Sequence, residues 1–237
     1  MKIALIGYGK MGHMIEDIAK SRGHEIVSVI DVNNEKDIEG EAFASADVAI
    51  EFTVPSEAWH NINKSWQAGV PVVSGTTGWK KSNDEICNAI KKYDSALLWS
   101  SNFSLGVNIF FEINRKLAQI MNNYPYEVSL TEIHHTQKKD APSGTAITLA
   151  EDIISNNDKK KSWTLQGDAT DEEISITAIR EGTVPGTHIV DYKSTQDKIE
   201  IKHEAYSREG FALGAVIAAE FIVGKKGLFT MKDILKF

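Results

Sequence analysis

The chain has 237 residues, enough for one large or two modest domains, and an ordinary composition of 42% apolar and 25% charged residues. Its formal net charge of -7 argues against a nucleic-acid partner, since phosphate backbones need a basic surface, and means that an anionic substrate must meet a locally cationic pocket. The single cysteine, Cys87, excludes an intramolecular disulfide; with no apolar run near the roughly 20 residues of a membrane span, and an N-terminal apolar run too short for a signal segment, a cytoplasmic protein is expected.

The first hundred residues alternate strand and helix signals. Ile3 to Ile6 is a short apolar run stopped by Gly7, and Met11, Ile15, Ile18 and Arg22 follow at helical spacing until Gly23. Further strands are expected over 25–31, 46–52, 70–74 and 96–100. Between them lie a helix opened by Pro55 and one opened by a capping box at Ser82-Asn83-Asp84-Glu85. Strands alternating with helices imply a Rossmann-like, doubly wound parallel sheet.

The pattern then changes. A long helix over 104–121 carries Leu105, Ile109, Ile113, Leu117 and Ile120 on one face, which is expected to be its buried side. A strand over 126–135 leads to a helix capped by Ser143, then a polar loop over 155–161. Three strands over 174–180, 188–193 and 198–204 alternate apolar residues, which favours an open, mostly antiparallel sheet. Helices over 211–223 and 231–235 end the chain. The expected architecture is α/β: a dinucleotide-binding domain over 1–104, an inserted α+β substrate and oligomerisation domain over 105–208, and C-terminal helices over 209–237 that return to the first domain.

Gly7-Tyr8-Gly9-Lys10-Met11-Gly12 follows a strand and opens a helix, the context that a dinucleotide fingerprint requires. Its glycines allow a tight turn and close approach of a pyrophosphate to a helix N-terminus. Asp31 ends the second strand, about twenty residues on, where an acid binds the adenine ribose. Gly75-Thr76-Thr77 and Ser100-Ser101-Asn102-Phe103 lie at other strand ends, where ligands bind in such sheets, although each also reads as an ordinary turn.

The segment Glu132-Ile133-His134-His135-Thr136-Gln137-Lys138-Lys139-Asp140-Ala141-Pro142-Ser143-Gly144-Thr145 concentrates chemistry. On a strand, His134 shares a face with Glu132 and His135 points the other way, so the two histidines do different jobs. Lys138 sits in a turn able to fold back toward His134, and either group can move a proton. Lys139 is the weaker lysine, solvated or paired with Asp140. Ser143, Gly144 and Thr145 start a helix whose amides favour a carboxylate. Arg180 and Arg208 read as solvated and His188 and His203 as structural, and no Cys/His cluster has zinc spacing, so no metal is expected.

This segment resembles the signature of the 4-hydroxy-tetrahydrodipicolinate reductase (dihydrodipicolinate reductase) family, and the resemblance extends over nearly the whole chain. It implies a reductase of diaminopimelate and lysine biosynthesis that uses NADH or NADPH. His134 and Lys138 would be its catalytic proton-handling groups, with His135, Gly144 and Thr145 on substrate. The resemblance also implies a homotetramer built through the inserted sheet. Departures include Glu204, where the family usually has lysine, and Val54, where arginine is frequent. Asp31 would repel the 2′-phosphate of NADPH and is followed by Val32 rather than arginine, so NADH is the expected preference, with Lys10 as the cation able to offset part of the repulsion. Two rivals remain: another two-domain dehydrogenase on the same nucleotide fold, and a non-enzymatic NAD(H) sensor with no use for Lys138.

Overall fold

Unbroken apolar runs need both faces of a strand covered, and alternating runs need one. Both regimes occur in the computed structural model, which describes residues 1–79, 81–167 and 169–236. The elements run β1 (Lys2–Ile6), α1 (Lys10–Ser21), β2 (Glu25–Ile30), a 3-10 turn (Glu35–Glu39), α2 (Glu41–Ala44), β3 (Val48–Glu51), α3 (Pro55–Gln67), β4 (Val72–Ser74), α4 (Asn83–Tyr93) and β5 (Ala96–Trp99). They continue with α5 (Leu105–Met121), β6 (Glu127–His134), α6 (Gly144–Ile154), β7 (Ser162–Leu165), β8 (Glu173–Arg180), β9 (Gly186–Lys193), β10 (Lys198–Ala205), α7 (Glu209–Ile222), β11 (Gly227–Phe229) and α8 (Met231–Leu235). The chain divides into two compact units, Met1–Leu105 with Glu209–Phe237, and Gly106–Arg208. Phe237, the end of the expected C-terminal segment, lies outside the described residues.

The first unit holds a six-stranded parallel sheet of order β11-β5-β4-β3-β1-β2. In β1, Ile3 and Leu5 pack with Ile15 of α1 and Val216 of α7, while Ala4 and Ile6 pack on the other face with Ile62 and Trp66 of α3. The Ser82–Glu85 capping box forms as expected and opens α4. Helix α7 is apolar nearly all round and buried accordingly. Edge strand β11 has three glycine-flanked residues, too few to set a periodicity, and the sequence did not announce it.

The second unit holds a five-stranded sheet of order β10-β9-β6-β8-β7. The longer ladders, β9 with β10 and β9 with β6, are antiparallel as expected; β6 with β8 and β7 with β8 are parallel. Strand β7, absent from the sequence reading, supplies one of those parallel edges. One face is apolar: Val128 and Leu130 of β6, Ile174 and Ile176 of β8, and Val190 and Tyr192 of β9 pack with Leu149, Ala150 and Ile153 of α6.

Helix α5 corrects the expected burial. Ile109, Ile113 and Ile120 are exposed at 42%, 46% and 58%, and the buried row is Val107, Phe110, Asn114, Ala118 and Met121. Both rows have helical spacing. The smaller one wins because Ala118 is compact and the Asn114 amide donates to the Leu149 carbonyl of α6 at 3.0 Å.

Candidate active site

In the first unit, the end of β1 turns into α1 through the glycine loop. Gly7 has φ +89°, and a Cβ there would lie 2.0 Å from the Phe52 carbonyl oxygen. A Cβ at Gly12 would lie 2.5 Å from the Gly7 carbonyl oxygen, whereas one at Gly9 would meet nothing within 4 Å. The fold itself therefore demands Gly7 and Gly12, while Gly9 leaves open space at the start of a helix with no acidic residue in its first turn. A cavity of about 370 Å³ opens there, lined by Gly9, Lys10, Met11, Gly12, Phe52, Thr53, Pro55, Gly75, Thr76 and Thr77. This brings two of the sequence-predicted loops together. Tyr8 is not part of that lining; its ring lies tilted against His13, and its hydroxyl bonds Glu16.

Asp31 is exposed just beyond β2, and its carboxylate accepts from the Val32 amide at 2.9 Å. Asn34 pins this turn by accepting from the Asp31 amide and donating to the Val29 carbonyl. Ser100, Ser101, Asn102 and Phe103 do not line the cavity. Ser100 and Asn102 bond within their own turn, and the Phe103 ring packs into the core against Phe52.

Glu51, which the sequence reading left without a role, is fully buried at the end of β3. Its carboxylate accepts from the Thr53 amide and hydroxyl and from the Ser74 and Thr76 hydroxyls. The Trp79 and Trp99 indoles both donate to the Thr76 carbonyl. The Gly75–Thr77 loop is thus held from two sides.

In the second unit, the inward row of each central strand changes from apolar to polar at one end. Val128 and Leu130 give way to Glu132 and His134; Tyr192 and Val190 to His188; Ile174 and Ile176, past Ala178, to Arg180. The register sets Glu132 opposite His188 and His134 opposite Arg180. Glu132 is 0% exposed. Its Oε1 accepts from Arg180 Nη2 at 2.9 Å and from the Ser143 amide at 3.1 Å, and its Oε2 lies 2.9 Å from His134 Nδ1. Burial alone pushes this carboxyl up, but the bonds from His134, Ser143 and Arg180 prevail and hold it at about 2. His188 stands edge-on to His134 at 5.1 Å, and its Nε2 is 3.1 Å from Ser143 Oγ. Burial, then the His134 charge, lowers its pKa to about 3, so it is neutral at neutral pH.

Glu132, His134 and His188 offer donor atoms within 4.8 Å of one another. The Arg180 guanidinium already neutralises Glu132, which opposes a further dication there. Lys138 Nζ bonds both Asp140 oxygens at 2.8 Å and holds that carboxyl below its usual range. Of the two readings of Lys139, solvated or paired with Asp140, the structure shows the solvated one, since Lys139 is exposed and Asp140 pairs with Lys138. His135 is half-buried, one residue past the end of β6, while His134 points inward. The Ser143 hydroxyl caps α6 by accepting from the Ala146 amide; Gly144 is exposed at the helix start and Thr145 half-buried.

Residues 1–103 match the family model described as dihydrodipicolinate reductase, N-terminus, and residues 106–235 match that described as dihydrodipicolinate reductase, C-terminus. The chain belongs to the dihydrodipicolinate reductase family. The 4-hydroxy-tetrahydrodipicolinate reductase of Christiangramia forsetii is 53% identical over 238 residues, covering 99% of this chain and 98% of that one. The protein of the same name from Thermosipho africanus is 36% identical, covering 100% and 98%. In fold, the chain is similar to a dipicolinate-bound dihydrodipicolinate reductase from Paenisporosarcina sp. TG-14, with a TM-score of 0.77 and 22% identity over 97% of each chain.

Sequence reasoning singled out His134, Lys138 and the α6 start and read Arg180 as solvated, whereas the structure ties Arg180 to Glu132; His188 is buried against Ser143, in keeping with its structural reading. Glu132 carried a local signal, two residues before His134. The other two reach the cluster through strand register, which leaves no local mark.

The buried pair predicts acid lability with a defined sign. In the unfolded chain His188 takes up a proton below about 6.5 and Glu132 below about 4.5, whereas folded they resist until about 3 and about 2. Stability should therefore fall as pH drops from about 6.5, by up to about 1.4 kcal/mol per pH unit for each proton. Urea midpoints of the native protein and of His188→Asn, compared between neutral pH and about pH 5, should show a shallower fall in the variant. Parallel profiles would contradict the assignment to His188.

Proposed function

We propose that the chain reduces 4-hydroxy-tetrahydrodipicolinate to tetrahydrodipicolinate with a reduced nicotinamide cofactor, the 4-hydroxyl leaving as water as hydride and a proton are added, in diaminopimelate and lysine biosynthesis. The observation that carries the reading is the buried Glu132–His134 pair beside the start of α6, in a chain of this family. A pure NAD(H) sensor has no need of such a pair, and the family match distinguishes the chain from other dehydrogenases on the same nucleotide fold.

Gly9, Lys10 and Gly12 with Thr53 and Gly75–Thr77 would hold the cofactor's phosphates and nicotinamide side, and Asp31 its adenine ribose; the open space at Gly9 fits that role. Met11 also lines this cavity; Tyr8, Ser100, Ser101 and Asn102 lie outside its lining, and Phe103 backs it only through Phe52. When bound, the nicotinamide supplies hydride. The chain's own residues place the substrate and handle the proton. First-turn amides at Gly144 and Thr145 hold one carboxylate, helped by the dipole of α6 and by its lack of acidic residues in that turn. His135 contacts the substrate beside them, and Ser143 shapes the cradle as its cap. His134 and Lys138 deliver a proton to the negative charge that develops on the substrate nitrogen. The active form we propose is a cytoplasmic homotetramer built through the sheet of the second unit.

A coupled assay tests the reaction. With pyruvate, aspartate semialdehyde and dihydrodipicolinate synthase, the protein should oxidise reduced cofactor, and pyridine-2,6-dicarboxylate should compete with substrate. Lys138→Ala and His134→Ala should each lower turnover by about 10²–10⁴-fold while cofactor affinity holds. No coupled oxidation with either cofactor would overturn the function; near-normal turnover in Lys138→Ala would move the proton to another group.

Cofactor choice follows from Asp31. Its charge opposes a 2′-phosphate by about 1 kcal/mol per unit charge in water and about 4 at an intermediate dielectric, and one exposed Lys10 offsets only part of that. kcat/KM should favour NADH in the native protein and shift toward NADPH in Asp31→Ala. A native preference for NADPH, or no shift in the variant, would show that Asp31 does not set the choice.

A further inference from the structure

The proton-handling histidine does not stand alone. Glu132 Oε2 and His134 Nδ1 are both enclosed and stand 2.9 Å apart, within hydrogen-bond distance although not aligned as a hydrogen bond, and His188 Nε2 lies 4.0 Å from the same oxygen. A carboxylate oxygen only accepts, so a hydrogen bond across this gap requires the proton on Nδ1. That leaves Nε2 to carry the lone pair or the transferable proton. Nε2 is also the atom the backbone makes room for: a Cβ on Gly186 would lie 3.1 Å from it.

The other oxygen of the same carboxylate holds the second half of the site. Oε1 accepts from the Ser143 amide at 3.1 Å, and Ser143 is the residue that caps α6. Arg180 closes the arrangement by donating to Oε1 at 2.9 Å and to the Asp140 carbonyl at 2.6 Å, which ties it to the turn that carries Lys138.

We propose that Glu132 is a positioning residue that locks His134 as the Nδ1–H tautomer through one oxygen and fixes the start of α6 relative to that histidine through the other. The proposal rests on the reading of His134 as a proton-handling group, but its structural half is measured without substrate. Glu132 touches neither substrate nor cofactor in this scheme; it acts through His134 and Ser143. Its ionisation is secured by the bonds that hold its carboxyl near 2. The neighbouring His188, neutral at working pH, takes no proton from it. Glutamine at 132 keeps the volume but presents an amide that donates as readily as it accepts, so it no longer dictates which ring nitrogen is protonated. Aspartate keeps the charge but is one methylene short of serving both ends.

Nitrogen-15 NMR of histidine-labelled protein tests the claim. In the native protein, neutral His134, assigned by its loss in His134→Asn, should give the Nδ1–H pattern. Glu132→Gln should give mixed tautomers and a kcat lowered by about 10²-fold, with the affinity for reduced cofactor unchanged. Glu132→Asp should recover the Nδ1–H pattern and part of kcat, yet keep a raised KM for substrate because α6 has lost its anchor. An Nε2–H pattern in the native protein would overturn the proposal, with no variant needed. Normal kcat and KM in a folded Glu132→Gln would overturn it as well. If the native tautomer is Nδ1–H but His134→Asn keeps full turnover, the positioning stands and the catalytic reading of His134 fails.

Discussion

A carboxylate with no exposure to water is the constraint on which the second unit depends. Burying an ion costs several kcal/mol unless its lone pairs are satisfied. Glu132 is met from three directions: Arg180 from β8 and the Ser143 amide from the α6 start donate to Oε1, and His134 from its own strand stands 2.9 Å from Oε2. Each donor is something the proposed chemistry needs in a fixed place. Removing any one leaves part of a buried charge unpaired, so the electrostatics that hold the fold together at this end of the sheet also hold the site in register.

The first unit uses a related device. Glu51 ends a central parallel strand and, fully buried, gathers hydroxyl and amide donors from Thr53, Ser74 and Thr76. The cavity lining thereby contains threonines whose hydroxyls are oriented before any ligand arrives. Preorganisation of this kind lowers the cost of binding, since the side chains lose little further freedom. In both units a buried acid lies at or near the end of a strand, where the apolar row gives way to polar side chains.

What the sequence made legible was local. The glycine loop with Asp31, the capping box at Ser82, and the run from Glu132 to Thr145 each announce themselves within a few turns of chain. The α5 face misled because two rows of that helix satisfy the same periodicity, and the bulkier isoleucines outweighed the row that Asn114 and Ala118 let pack closely. Strands β7 and β11 are too short to show a period. The place of Arg180, and the partners of the structural His188, were hidden for a different reason. Both residues enter the cluster through the pairing of β8 and β9 with β6, and pairing partners are not written along a single chain.

In kcat, Glu132 works through His134 rather than beside it. A double-mutant cycle on kcat, with Glu132→Gln, His134→Asn and the combined variant, reads this directly. If Glu132 acts by orienting His134, its loss matters little once the histidine is gone, and the double variant should turn over within about threefold of His134→Asn alone. If the two losses multiply instead, the carboxylate contributes to catalysis by a route that does not pass through the imidazole, which contradicts a positioning role for Glu132.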